Sequence, residues 1–173
     1  ASAYFGYSNY VDSAIFFQKK ANKLFTSKHH YYSASLNQLA TFYAYQGNYE
    51  AALLYYNEGY ILDTINKVED AEVNYYIDIA DLLIEQENYT QANALLKKGM
   101  YLLKSDTADE NLLNSYLNSI GNLRIKQKKY LWAKDTVLLA LTLAKELNNM
   151  YNVSYAYSLL VEIAFAEKNV NNA

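Results

Sequence analysis

A short segment recurs about every 40 residues along this 173-residue chain. In the four clear copies a tyrosine precedes an alanine by three or four positions, and the tyrosines are 39, 40 and 41 residues apart. The copies, with a weaker fifth one last, are Asn9-Tyr10-(x)3-Ala14, Asn48-Tyr49-(x)2-Ala52, Asn88-Tyr89-(x)2-Ala92, Lys129-Tyr130-(x)2-Ala133 and Asn169-Val170-(x)2-Ala173. A fixed period of this length is typical of stacked supersecondary units, so it constrains the fold more than any single motif.

Each complete copy reads as two amphipathic helices joined by a tight turn. Apolar residues recur at spacings of three and four on both sides of a short polar break such as Gly47-Asn48, which is the spacing of one helical face. The predicted helices span 9–26, 29–46, 49–66, 69–86, 89–105, 108–127, 130–148 and 150–168. We therefore expect one domain over 1–173, with a partial repeat at 1–25, complete repeats at about 33–72, 73–113 and 114–153, and a truncated repeat at 154–173.

Small residues fall at equivalent places on both helices of each copy. Side chains this small allow two helix backbones to approach closely, and enlarging one is expected to cost about 1–3 kcal/mol through overpacking. These residues are Ala40, Ala80 and Gly121 in the first helices and Ala52, Ala92 and Ala133 in the second helices. One helix start also carries a capping signal, because Thr107 and Glu110 have the spacing of a capping box.

The composition favours an all-α chain. Hydrophobic residues make up 52% of the sequence, there is no proline, and there are only five glycines, so the usual turn and breaker residues are scarce. Tyrosine is unusually common, with 20 copies. A tyrosine ring fills space between helices while its hydroxyl stays at a wet edge, which suits a thin stack of helices. We expect Tyr31, Tyr32, Tyr75 and Tyr76 to pack in this way.

In the repeated apolar and small residues of its helix pairs, the chain resembles the tetratricopeptide repeat family. The resemblance covers about the whole length of the chain. The resemblance implies an all-α solenoid, a right-handed superhelix of antiparallel helix pairs. Two features depart from the standard repeat, which has 34 residues and a proline near its end. Here the period is about 40 residues, and the proline is replaced by Thr64, Lys104 and Lys145. The chain is therefore similar to the long-period members, which include peptide-binding adaptors and bacterial regulators.

The resemblance also implies a concave groove lined by the fifth, ninth and thirteenth residues of each repeat. Their spacing of four places each set on one helical face. The positions are Asn37, Thr41 and Tyr45; Ile77, Asp81 and Glu85; Asn118, Asn122 and Lys126; and Ser158, Glu162 and Ala166. We expect nine of them to bind the ligand: Asn37, Thr41, Tyr45, Asp81, Glu85, Asn118, Asn122, Lys126 and Glu162.

The chemistry of these residues suits a peptide. An asparagine carboxamide carries both a donor and an acceptor, so Asn37, Asn118 and Asn122 could pair with a peptide bond, while the carboxylates favour a basic or amine-bearing partner. The alternative is that these are ordinary solvated helix faces. Lys126 is the only basic residue in the set, which argues against a site for a chain-terminal carboxylate.

Charge and composition exclude several other classes. A net charge of −3 and a pI near 5.4 argue against a nucleic-acid partner. The chain lacks cysteine and a long apolar run, so we expect no disulfide, no cofactor, no membrane insertion and a cytoplasmic location, with the periplasm left open. His29-His30 reads as a surface pair rather than a zinc site. The basic cluster Arg124, Lys126, Lys128 and Lys129 favours a helix C-terminus over an anion site.

No constellation of residues points to catalysis, so we expect a protein that is not an enzyme. The leading hypothesis is a non-catalytic module that binds a protein or an extended peptide segment. The alternatives are a sensory or regulatory segment of a larger bacterial signalling protein and a self-associating scaffold. The nearly all-apolar stretch 157–165 predicts an adhesive face near the C-terminus, and with it a homodimer through exposed terminal helices. Because the chain begins partway through a repeat, we expect it to belong to a longer polypeptide.

Overall fold

The computed structural model describes residues 2–24, 31–103 and 109–171. Within these ranges the chain forms eight α-helices and no β-strand, which confirms the all-α prediction. None of these helices is both long enough and apolar enough to cross a bilayer. The helices are α1 (Ser2–Asn22), α2 (Tyr32–Tyr45), α3 (Tyr49–Ile65), α4 (Ala71–Glu85), α5 (Tyr89–Leu103), α6 (Glu110–Lys126), α7 (Tyr130–Glu146) and α8 (Met150–Asn171).

The predicted helix bounds differ most from the observed ones in α1, which also ends earlier than predicted, at Asn22, and in α8. α1 begins at Ser2 and passes through Asn9-Tyr10 without a break, and α8 continues to Asn171 through the turn predicted before Val170. His29 and His30 lie outside the described residues.

One backbone motif ends the first helix of each complete pair. Gly47, Glu87 and Lys128 adopt left-handed conformations with φ of 75°, 60° and 60°. After α2, the amide of Asn48 donates to the carbonyl of Tyr43 at 2.9 Å, and equivalent bonds close the ends of α4 and α6. This is a Schellman motif, in which the left-handed residue lets the last free carbonyls of a helix accept hydrogen bonds. The three turns share this geometry although only the first contains glycine.

The residue after each turn starts the next helix. Asn48 caps α3 by accepting a 3.1 Å hydrogen bond from the amide of Ala51, and Asn88 accepts a weaker one of 3.4 Å at α5. Lys129 holds the same place before α7 but makes no side-chain cap. At α6 the cap is Asp109, whose Oδ1 accepts from the amide of Asn111 at 2.8 Å. The predicted capping box begins at Thr107, outside the described residues, and α6 itself starts only after Asp109.

The chain divides between Tyr75 and Tyr76, inside α4, into two compact units. In the first unit, Val11 and Ile15 of α1 pack against Leu39 of α2. Tyr75 stacks on Tyr60 of α3, with ring centroids 4.4 Å apart. The prediction that tyrosines pack between helices therefore holds for Tyr75, whereas Tyr31 is 60% exposed.

The second unit has a continuous apolar core between α6, α7 and α8. All the small residues predicted at the helix contacts are buried in both units, which confirms that prediction. A Cβ added to Gly121 would lie 2.5 Å from Cγ2 of Val137 on α7, so α6 and α7 meet too closely for a larger residue there. The core residues are Ile125, Ala133, Val137, Leu141, Ala144, Val153, Ala156, Leu159 and Ile163.

Candidate binding face on the first helices

In the first unit, the predicted ligand-binding residues lie on α2. Thr41 Oγ1 donates to the carbonyl of Asn37 at 3.0 Å and lies 3.1 Å from the hydroxyl of Tyr56 on α3. The Oδ1 of Asn37 is buried and has no hydrogen-bond partner among the described residues. Tyr45 is 58% exposed. Of these three residues, Tyr45 thus offers the largest accessible surface to a ligand.

In the second unit, Asp81 of α4 points at α6. Its Oδ2 accepts a 2.9 Å hydrogen bond from Ser119 Oγ, while its Oδ1 is buried without a partner among the described residues. Burial raises the pKa of Asp81 to about 7, against the opposing effect of the Ser119 bond, and the neighbouring charge of Glu85 raises it further. Below neutral pH this carboxyl group is mostly protonated, so it contributes little negative charge to the face.

The next residue of the set on α4, Glu85, is exposed. It lies one helical turn after Asp81 on the same side of the helix. The two carboxyl groups therefore have different environments despite their matching positions in the sequence pattern. On α4, Glu85 is therefore the main source of the negative charge that we expect to attract a basic partner.

The asparagines of α6 lie beneath the surface. Asn118 is 2% exposed and Asn122 is 6% exposed. Asn118 Nδ2 donates to Asn114 Oδ1 at 3.2 Å, and Asn114 Nδ2 donates in turn to the carbonyl of Ala140 on α7. A hydrogen bond from a bound peptide needs an accessible carboxamide, and here these groups are covered by protein. Their contact with a ligand stays a prediction.

An exposed ion pair joins α6 to α8. Lys126 Nζ lies 3.1 Å from Glu162 Oε1, and both side chains are partly exposed. Asp81–Ser119 makes the corresponding polar link from α4 to α6. Within the second unit, the first helices of successive pairs are thus connected side by side, and Glu85, Lys126 and Glu162 are the charged groups that this face presents.

The basic cluster at the end of α6 is partly used inside the fold. Arg124 Nη1 donates to the carbonyl of Trp132 at 3.1 Å and to Thr136 Oγ1, both on α7. Lys126 is paired with Glu162. Two of the four positive charges therefore hold α6 to its neighbours, which supports the structural interpretation of this cluster over an anion site.

Sequence reasoning missed Ser119 and Asn114, which complete the polar contacts of this face. Ser119 follows Asp81 by 38 residues, about one repeat, and that spacing is the signal that could have found it. Asn114 precedes Asn118 by one helical turn, the spacing at which helical side chains meet. Among the described residues, no group of three His, Asp or Glu side chains is placed to hold a metal ion.

No protein-family model matches the chain. No curated protein matches it at a significant level either. The helices pack against their neighbours in a manner consistent with a helical repeat.

Proposed function

We propose that the chain is a non-catalytic tetratricopeptide-like module, a right-handed solenoid that binds a protein or an extended peptide segment along its first helices. The observation that carries this proposal is the polar linkage of α4, α6 and α8 through Asp81–Ser119 and Lys126–Glu162. These two links, with the exposed Glu85 one helical turn after Asp81, support a row of charged groups contributed by three helices of the second unit. A face made of several connected helices is formed before the ligand arrives, which reduces the entropic cost of binding.

The charges on this face select the class of partner. Lys126 is already paired with Glu162, so Glu85 carries the negative charge that is not balanced within this set. We therefore propose that the preferred segment is extended and contains lysine or arginine. Since the groups are exposed, the attraction supplies specificity and rate of association more than affinity, and it weakens with salt.

A peptide array tests this function directly. The full chain, labelled with a fluorophore, is applied to random 12-residue peptides, and the best binders are titrated by fluorescence polarisation. We expect binders enriched in lysine and arginine, and we expect the E85K/E162K variant to weaken their binding severalfold, mainly through slower association. The matched control is the E58K/E146K variant, which makes the same charge change at exposed residues of α3 and α7. Equal binding by the two variants contradicts the proposed face.

A further inference from the structure

α8 carries a second apolar stripe that is exposed. Tyr157, Val161 and Phe165, spaced by four, are 48%, 53% and 68% exposed. We call them the outer stripe of α8. The opposite side of the helix is buried, because Ala156, Leu159 and Ile163 belong to the core of the second unit. Among the described residues, α8 is therefore covered on one side only.

The equivalent stripes of α2, α4 and α6 show what normally covers these positions. The residues at the same three places of α2, α4 and α6 are all buried or half-buried. In α6 the cover is the second helix of the same pair, since Gly121 contacts Val137 and Ile125 packs in one cluster with Ala133 of α7. The nine equivalent residues are Leu36, Ala40, Ala44, Tyr76, Ala80, Ile84, Leu117, Gly121 and Ile125. The outer stripe of α8 thus corresponds to the surface that, in the other repeats, packs against the second helix of the pair.

α1 shares a sequence feature with the second helix of each pair. In the second helices, two small residues stand seven positions apart. α1 repeats this spacing with Ala14 and Ala21, and the other pairs are Ala52 and Gly59, Ala92 and Gly99, and Ala133 and Ala140.

The orientation of α1 identifies its free face. In α3, Asn57 and Tyr60 contact Tyr75 of the following helix, α4. The residues one position earlier, Tyr56 and Gly59, contact the preceding helix, α2. Adjacent residues are about 100° apart on a helix, so the two faces adjoin.

In α1, Val11 and Ile15 contact the following helix α2. The face for a preceding helix then contains the residues one position earlier, Tyr10 and Ala14, and continues through Phe17 and Ala21. We call these four the outer stripe of α1. Tyr10 is 79% exposed and Phe17 is 64% exposed.

We propose that the outer stripe of α8 of one copy packs antiparallel on the outer stripe of α1 of a second copy, forming between chains the helix pair that α6 and α7 form within one chain. The two surfaces differ, so the contact is heterologous and can recur from copy to copy. Small residues of α1 face the bulky Val161 and Phe165, as Gly121 faces Val137 within the chain.

The area involved sets the expected strength. Four exposed aromatic side chains, each with about 200 Å² of surface, contribute roughly 500 Å² at their present exposure. This is well below the ~1,200 Å² of a stable interface, so assembly should appear between about 10 µM and 1 mM.

Sedimentation velocity on the full chain over this range tests the proposal. The weight-average mass of the wild type should rise at least twofold, while F17E and F165E each stay monomeric. An equimolar mixture of the two variants should form a 1:1 dimer and nothing larger, because only the α8 stripe of F17E and the α1 stripe of F165E are intact. L54E, which changes an exposed leucine of α3 outside both stripes, should assemble like the wild type.

Three results overturn the proposal: a wild type that remains monomeric, an F17E variant that associates like the wild type, or a mixture that does not dimerise. The second would point instead to a symmetric contact of α8 with α8. Circular dichroism verifies that the variants are helical, and Y10E replaces F17E if that variant loses helicity, since Tyr10 lies on the same stripe.

Discussion

The hydroxyl of Ser119 on α6 donates a 2.9 Å hydrogen bond to Oδ2 of Asp81 on α4. The other carboxyl oxygen of Asp81 is buried and accepts no hydrogen bond from the described residues. An ionised carboxylate in this place loses its water without full compensation. The burial of Asp81 therefore favours the protonated acid, although the hydrogen bond from Ser119 by itself favours the ionised form.

This arrangement predicts that the chain is less stable at alkaline than at acidic pH because of Asp81. Its pKa in the folded chain is raised to about 7 from an ordinary 3.8. Below pH ~4 both states are protonated and the contribution is fully present; as pH rises to about 7 it is lost, since only the unfolded state ionises readily. The total is up to about 4 kcal/mol.

Urea unfolding at pH 4.5 and pH 8 measures this effect as the difference between wild type and D81N. D81N should be the more stable chain at pH 8, and the difference should shrink towards acid pH. D135N, which alters an exposed aspartate of α7, serves as the control. A pH-independent difference between D81N and wild type would contradict the prediction.

The close contact of Gly121 with Val137 predicts energetic coupling between α6 and α7. G121A should destabilise the chain by about 1–3 kcal/mol, because the new methyl group would lie 2.5 Å from Val137 Cγ2. V137A should cost about 1–3 kcal/mol through the cavity that it leaves. The double variant should cost less than the sum, since the new methyl group fills part of that cavity. Additive losses in thermal unfolding would show that the helices are not in tight contact here.

The missing cap at Lys129 predicts a stabilising substitution. K129N should place an acceptor where Asn48 caps α3, and it should stabilise the chain by about 1 kcal/mol. K129A removes the same lysine without adding an acceptor, so it should gain no such stability. Chemical denaturation compares the two variants, and equal midpoints would mean that no cap forms.

The ion pair between Lys126 and Glu162 should contribute little to folding. Both groups are partly exposed at a separation of 3.1 Å, and pairs of this kind are usually worth less than about 1 kcal/mol. E162Q should therefore change the melting temperature by only a few degrees. A large loss of stability would contradict this prediction. It would also mean that E85K/E162K weakens peptide binding through partial unfolding.

The local pattern of the sequence was enough to predict the helices and their close contacts. Signals within a few positions of one another predicted the break at Gly47-Asn48 and the equivalent breaks one and two repeats later. They also predicted the buried small residues. The same local motif recurs at Asn9-Tyr10 and before Val170, yet the helix continues through both positions. The motif alone therefore does not determine a turn.

Only the tertiary structure decided which polar residues of the predicted face are accessible. Asp81 and Glu85 stand one turn apart and look alike in sequence, yet Asp81 is enclosed against Ser119 while Glu85 is exposed. Asn118 and Asn122 likewise became buried. The repeat by itself determined the order of the helices and the spacing of their apolar residues. Burial depends on neighbouring helices whose residues are distant in the sequence, so the pattern of one helix does not contain that information.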